Sequence, residues 1–339
     1  MHAARTSLLT LSAMTAFIAA VQAQTGVCVN DAPNPYHLVN DWAHMPRPWA
    51  PTNNVFVDAK DNVWVFDRCE DKGCAGSKVD SIWELSSDGN VLKNFGSSIG
   101  FVFPHQVVAD KDGSVWVVDG NVKDGKGDQV MKLSPDGKVL ITLGKAGEKG
   151  AGQDVFDQPT SVAIAPNGSI FVGEGHAPTF GNSRITHFDK NGKFIKTFGH
   201  VGSGEGEMKS PHVLAFDSRG RLFVADRSNS RVDIFDQDGK FLAGWKQFGR
   251  PSGIWIDKKD TLYVSDSESE EAPGKDTNNP GCKRGIRIGS ARTGKVDYYI
   301  PPPPVSDPKY PPPEGVAADS HGNVYAAAVQ AKSVYKYVK

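Results

Sequence analysis

Residues 211–245 read PHVLAFDSRGRLFVADRSNSRVDIFDQDGKFLAGW, and this stretch decides the fold. A first apolar run, PHVLAFD, closes on Asp217 and passes through the tight turn DSRGR. A second run, LFVAD, ends at Asp226. A third, RVDIFD, leads through the Asp-Gly turn DQDG into a fourth. Short runs of branched and aromatic residues, punctuated by Gly and Asp, predict antiparallel strands joined by hairpins.

The same pattern recurs along the chain with a period of roughly 40–55 residues, which marks a repeat architecture. First strands begin near Asn53, His105, Thr160, His212, Ser252 and Glu314. Turns read DAKDN, DKDGS, APNGS, DSRGR, DKKDT and DSHGN, and second strands read VWVFD, VWVVD, IFVGE, LFVAD, LYVSD and VYAAA. Four strands per copy predict an all-β, six-bladed β-propeller. Its blades lie near 49–100, 101–150, 151–200, 201–246, 247–300 and 301–339. The last copy stops after its third strand, SVYKYVK, and the segment HLVNDWA (37–43) is expected to supply the missing one. That pairing closes the ring and removes two open sheet edges.

Length variation falls on one face, at 69–80, 120–128, 176–182, 267–284 and the Pro-rich run 301–313. Insertions gathered on one face mark the binding face. His105, His212 and Glu314 open onto it. Each stands five residues before the Asp that closes its first strand, namely Asp110, Asp217 and Asp319. Three alternating blades therefore aim two imidazoles and a carboxylate at the axis, while the others offer Asn53, Thr160 and Ser252. Two His and a Glu with an open position suit zinc. Ferrous iron uses the same donor set. Behind them, Asp67-Arg68 and Asp226-Arg227 end second strands, and an Arg fork suits a substrate carboxylate or a neighbouring acid. His176, after the second strand of blade three, is the candidate general base.

Lysine plus arginine (38) nearly balances aspartate plus glutamate (39), so neither nucleic acid nor a membrane surface is an expected partner. Residues 1–23 read as an export signal, with Arg5, an apolar run from Leu8 to Ala20, and cleavage after Ala23. Residues 24–339 form one propeller domain on this reading. A secreted or periplasmic monomer, without membrane insertion, is expected. Export permits disulfides among Cys28, Cys69, Cys74 and Cys282; Cys69–Cys74 closes a short loop and leaves Cys28 with Cys282.

The segments VADRSNSRVDIFDQDGKFL (224–242) and NSRITHFDKNGKFIKTFG (182–199) resemble NHL repeats. The motif order over residues 49–339 is similar to that of peptidyl-α-hydroxyglycine α-amidating lyases. The resemblance implies a six-bladed propeller with zinc held by three His, cleaving a C-terminal α-hydroxyglycine into an amide and glyoxylate. Two of those zinc positions match His105 and His212; the third is Glu314. The family's arginines match Arg68 and Arg227. Its tyrosine base falls at Gly175-His176, where this chain has His. An axial calcium is held by an Asp after the third zinc His; Gly315 stands there, which argues against calcium. The resemblance thus implies a lyase-like enzyme acting on a small-molecule or peptide substrate. A metal-dependent lactone hydrolase and a noncatalytic propeller binding a protein or glycan remain the alternatives.

Overall fold

The computed structural model describes residues 28–272, 274, 278–302 and 313–339. The expected export signal and the middle of the Pro-rich run lie outside the described residues. Among the described residues, twenty-four strands pair into six four-stranded antiparallel sheets. Blade one holds Thr52–Val57, Val63–Asp67, Ile82–Leu85 and Val91–Phe95. In blade two the strands are Pro104–Ala109, Val115–Lys123, Lys126–Leu133 and Val139–Leu143. Blade three has Pro159–Ile164, Ile170–Glu174, Arg184–Phe188 and Phe194–Phe198. Blade four runs Pro211–Phe216, Leu222–Asp226, Arg231–Phe235 and Phe241–Trp245. Blade five comprises Gly253–Ile256, Thr261–Asp266, Gly285–Ser290 and Val296–Ile300. Blade six has Gly315–Ala318, Val324–Ala328 and Ser333–Val338, and its outer strand is His37–Val39.

His37–Val39 pairs antiparallel with the last strand, Leu38 opposite Tyr337. The strand is shorter than the segment 37–43 expected from sequence. The chain turns after Val39, and Trp42 is buried against Tyr325 with its indole N–H on the Ser87 carbonyl at 2.8 Å. A second departure lies at 120–128. The expected loop is largely strand, because Val115–Lys123 and Lys126–Leu133 extend past the blade as a hairpin. Its tip is Asp124-Gly125, both with φ above zero (52° and 73°), the backbone that a tight hairpin turn needs.

Apolar side chains do not gather in one core. They form six wedges, one at each interface between neighbouring blades. The wedge between blades six and one contains Val55, Val63, Trp83, Ala317 and Tyr325, all essentially closed to solvent. Each large apolar side chain buried this way contributes about 1.5–3 kcal/mol, so the closing interface is held like the other five. Disulfides join Cys28 to Cys282 and Cys69 to Cys74, and no free cysteine remains. The first pins the N-terminal segment to blade five, where Val29 N–H donates to Gln247 O (3.0 Å) and Arg287 Nε donates to Val29 O (2.6 Å). Among the described residues, no helix is long and apolar enough to cross a membrane.

Candidate active site

First strands carry the site through a repeated irregularity. In blade two Pro104 pairs with Asp119 and Gln106 with Val118, so His105 is an extra residue without a partner. Thr160 is extra in the same way in blade three. Register also shifts between Thr52 and Val55, and between Pro211 and Leu214. A bulge bends the strand and re-aims its side chain. Proline, which lacks an N–H, tolerates the strand start at Pro104, Pro159 and Pro211. In four blades an acid of the second strand fixes the approach. Asp119 accepts from Val102 N–H and Phe103 N–H, Glu174 from Asp157 N–H, Asp226 from Lys209 N–H and Asp266 from Arg250 N–H.

The bulged residues clasp neighbouring blades. Asn53 Nδ2 donates to His105 O at 2.7 Å, and Thr160 Oγ1 to Pro211 O at 2.6 Å. His105 Nδ1 meets Thr160 O at 2.6 Å, and His212 Nδ1 meets Ser252 O at 2.6 Å. A carbonyl only accepts, so both imidazoles carry their proton on Nδ1. Their Nε2 lone pairs remain, buried and without a hydrogen-bond partner among the described residues.

His176 joins them from the loop after Ile170–Glu174. Gly175 has φ +113°, and a Cβ there would run into Ser183 N at 2.7 Å, so the loop folds back on itself only through glycine. Phe180 N–H closes the turn on His176 O at 2.7 Å. Ring centroids lie 5.6 Å from His105 and 5.4 Å from His212, while those two are 4.8 Å apart. One ring nitrogen from each of the three falls within 4.8 Å of the others. Burial first, then the neighbouring imidazoles and the Arg227 and Arg68 guanidinium groups, hold the three imidazoles below their ordinary pKa, well below for His105 and His212. All three are therefore neutral near pH 7, the form that ligates metal.

Glu314 stands beside this trio. Its Oε1 is 3.2 Å from His212 Nε2 and 3.2 Å from an Arg227 Nη1 that donates to it. The contact with His212 sets two acceptor atoms face to face, an arrangement that needs a proton or a cation between them. Arg227 also donates from Nη2 to His176 Nε2 at 3.1 Å, and its Nη1 lies 3.6 Å from Glu268. It sits in a 3-10 turn, Arg227–Asn229, that follows Leu222–Asp226 directly.

Arg68 is different. Asp67, a possible partner on the sequence reading, is engaged instead by Arg47 Nη2 (2.6 Å) and Trp83 Nε1 (3.1 Å). Arg68 stacks on the Phe103 ring at 3.9 Å and forms no ion pair among the described residues. Burial lowers its pKa, Glu314 opposes that, and Arg227 adds to it. A guanidinium whose Nε donates to Pro104 O at 3.4 Å, with no carboxylate partner among the described residues, thus lies near His105, His176 and Glu314.

Two contributors escaped sequence reasoning. Glu268 accepts from Arg250 Nε at 2.8 Å, and Arg250 Nη1 donates to Arg227 O at 2.9 Å. Burial opposes ionisation of Glu268, but Arg227 and Arg250 outweigh it and hold its carboxyl below the usual range. Glu268 follows Asp266 at the same offset as His176 follows Glu174, a signal available in the repeat alignment. Away from the site, a cavity of about 840 Å³ opens on the opposite face, lined by Phe56, Trp116, Phe216 and Trp255. None of the candidate residues lines it.

The chain is 30% identical over 326 residues to human NHL repeat-containing protein 3, covering 89% of this chain and 84% of that protein. The chain belongs to the NHL-repeat family. No family model matches it. Amidating enzymes are also relatives of this NHL-repeat protein. Peptidyl-glycine alpha-amidating monooxygenase B of Xenopus laevis is 29% identical over 313 residues, 85% of this chain but 33% of the enzyme. The probable peptidyl-alpha-hydroxyglycine alpha-amidating lyase pgal-1 of Caenorhabditis elegans is 32% identical over 164 residues, covering 47% and 43% of the two chains. The NHL-repeat chain spans a third or less of the length of the amidating monooxygenases it matches. A streptogramin B lyase structure superposes with a TM-score of 0.56 at 13% identity, covering 89% of this chain and 97% of that one, a likeness of fold.

Proposed function

We propose that this protein is an exported, metal-dependent lyase acting on a small or peptide substrate that carries a carboxylate and a hydroxyl. Cleavage of an α-hydroxyglycine with release of glyoxylate is the reaction that best suits the relatives. The observation that carries the reading is the pair of buried, neutral imidazoles whose Nε2 lone pairs converge beside Glu314. Their Nδ1–H bonds to backbone carbonyls are the outer contacts that orient metal-ligating histidines. His105 and His212 would hold the ion, with Glu314 or His176 completing the set. A bound zinc or ferrous ion supplies a Lewis acid that lowers the pKa of a substrate hydroxyl.

The other residues act on the substrate and on each other. Arg68, without a carboxylate partner among the described residues and stacked on Phe103, would take the substrate carboxylate in a two-pronged bond. Arg227 holds Glu314 and His176 at fixed separation, and whichever of the two is not a ligand is placed to accept the hydroxyl proton. Two disulfides and the N-terminal apolar stretch support export.

Protein purified without chelator is expected to hold one equivalent of metal by elemental analysis, and to release glyoxylate from an α-hydroxyglycine peptide. Arg68→Ala removes hydrogen bonds to a charged group worth about 1.5–3 kcal/mol, so kcat/KM should fall about 10- to 150-fold. A metal-free protein that binds none at micromolar concentration would overturn the reading, as would an unchanged kcat/KM in Arg68→Ala. Lactone hydrolysis without glyoxylate release would assign the site to the hydrolase alternative.

A further inference from the structure

We infer that His176 is a metal ligand, so that the site is a three-histidine centre whose third imidazole comes from blade three rather than blade six. The inference rests on the metal-dependent reading above and deepens it. Glu314 occupies the blade-six position and would otherwise be the third donor.

The geometry favours His176 in two respects. Its ring nitrogen joins those of His105 and His212 in one mutual cluster within 4.8 Å, the one such group among the described residues; Glu314 is not part of it. Its Nδ1 is tied to a carbonyl, Ala177 O at 2.8 Å, as the other two are tied to Thr160 O and Ser252 O. All three rings therefore present the same nitrogen, Nε2, as a lone pair. Glu314, by contrast, directs Oε1 to Arg227 as well as toward His212. Arg227 donates to His176 Nε2 as well, so the nitrogen cluster and the anchored Nδ1, rather than that contact, carry the assignment.

The cluster is wider than a filled tetrahedral site, whose nitrogens at bonds of about 2.0 Å lie ~3.3 Å apart. Closing the difference asks each of the three ring nitrogens to move by about 1 Å toward a common centre. His176 Nε2 now accepts from Arg227 Nη2 at 3.1 Å. An ion that takes this lone pair releases that edge of Arg227. The same event would fill the metal site and free a second guanidinium edge for an anionic substrate group.

Three histidines leave a fourth position open, the mark of a reactive rather than a sealed centre. Were Glu314 a ligand in addition, four protein donors would fill a tetrahedron. With Glu314 outside, its carboxylate, 3.2 Å from His212 Nε2, would stand beside the ion as a proton acceptor.

Cobalt(II) is the probe. In the cobalt-loaded wild-type protein, each ligating imidazole contributes one exchangeable, paramagnetically shifted Nδ1–H proton resonance in water. Three such resonances are expected. Two would overturn the inference while leaving the metal-dependent reading intact, and failure to load cobalt or zinc at all would overturn both. Variants give a second readout, with folding monitored by circular dichroism. His176→Ala should weaken cobalt binding at least 10-fold and change its visible absorption, whereas Glu314→Gln should shift the affinity less than 3-fold. Loss of binding in Glu314→Gln with retention in His176→Ala would transfer the third position to Glu314. Loss in both would make the set four-coordinate and likewise refute a three-histidine centre.

Discussion

At Gly315 the backbone of blade six packs directly against that of blade one, and Gly315→Ala tests how tightly the ring is shut. A Cβ at this position would lie 2.7 Å from Asn53 O, 2.8 Å from Asn54 Cα and 3.1 Å from Val55 N. Its φ lies outside the left-handed region, so the whole penalty is steric. All three atoms belong to the backbone of Thr52–Val57, which cannot swing aside as a side-chain tip would. Overpacking costs about 1–3 kcal/mol, and rigid partners place this case at ~2–3 kcal/mol. Alanine also restricts the unfolded chain, which offsets about 0.4–1 kcal/mol. A net destabilisation of ~1–2.5 kcal/mol is expected from equilibrium urea unfolding followed by tryptophan fluorescence. The damage should reach the site, because Gly315 follows Glu314 directly; cobalt affinity should fall together with stability. A midpoint equal to or above that of the wild type would refute the close approach, and with it the closed ring as described.

Two further outcomes follow from the structure. Replacing Cys28 and Cys282 by serine removes a cross-link spanning 254 residues, and replacing Cys69 and Cys74 removes one spanning 5. In the chain-entropy description these are worth about 5 and about 2 kcal/mol; urea midpoints that rank the two variants the other way would contradict the chain-entropy origin. Asp233 and Asp226 share Arg231 in a buried cluster, where burial and then the Asp226 charge push Asp233 up to about 9, and burial pushes Asp226 up to about 6. The folded state therefore keeps a proton that the unfolded state releases above about pH 4, so stability falls as pH rises toward 9. Asp233→Asn should flatten that decline between about pH 6 and pH 9, and parallel profiles for variant and wild type would show that the pair does not titrate as described.

The repeat was legible because its punctuation is chemical. Asp-Gly and Asn-Gly pairs announce turns, and second-strand runs that close on an acid in five of the six copies keep the frame. The unfinished last copy pointed to a borrowed strand, and the frame put His105, His212 and Glu314 on alternate blades. What stayed hidden depends on tertiary closure. Nothing in PHQVVAD shows that His105 is a bulged residue. The placement of His176 depends on a loop folding back through Gly175, and two-fold alternation carries no record of that. The stretch 120–128 reads as a loop because its glycines resemble a linker, yet cross-strand pairing turns it into a hairpin. Glu268 sits at an offset the repeat already used, but the longer connection after Asp266 obscured it.

The bonds that orient His105 and His212 end on neighbouring blades, at the carbonyls of Thr160 and Ser252. A single repeat therefore carries the side chain but not the instruction for how to hold it. The heritable unit of this site is a pair of adjacent blades, one giving the imidazole and the next giving the oxygen that fixes its tautomer. Copying or grafting one blade would move a histidine without its chemistry, whereas moving two together would transfer both.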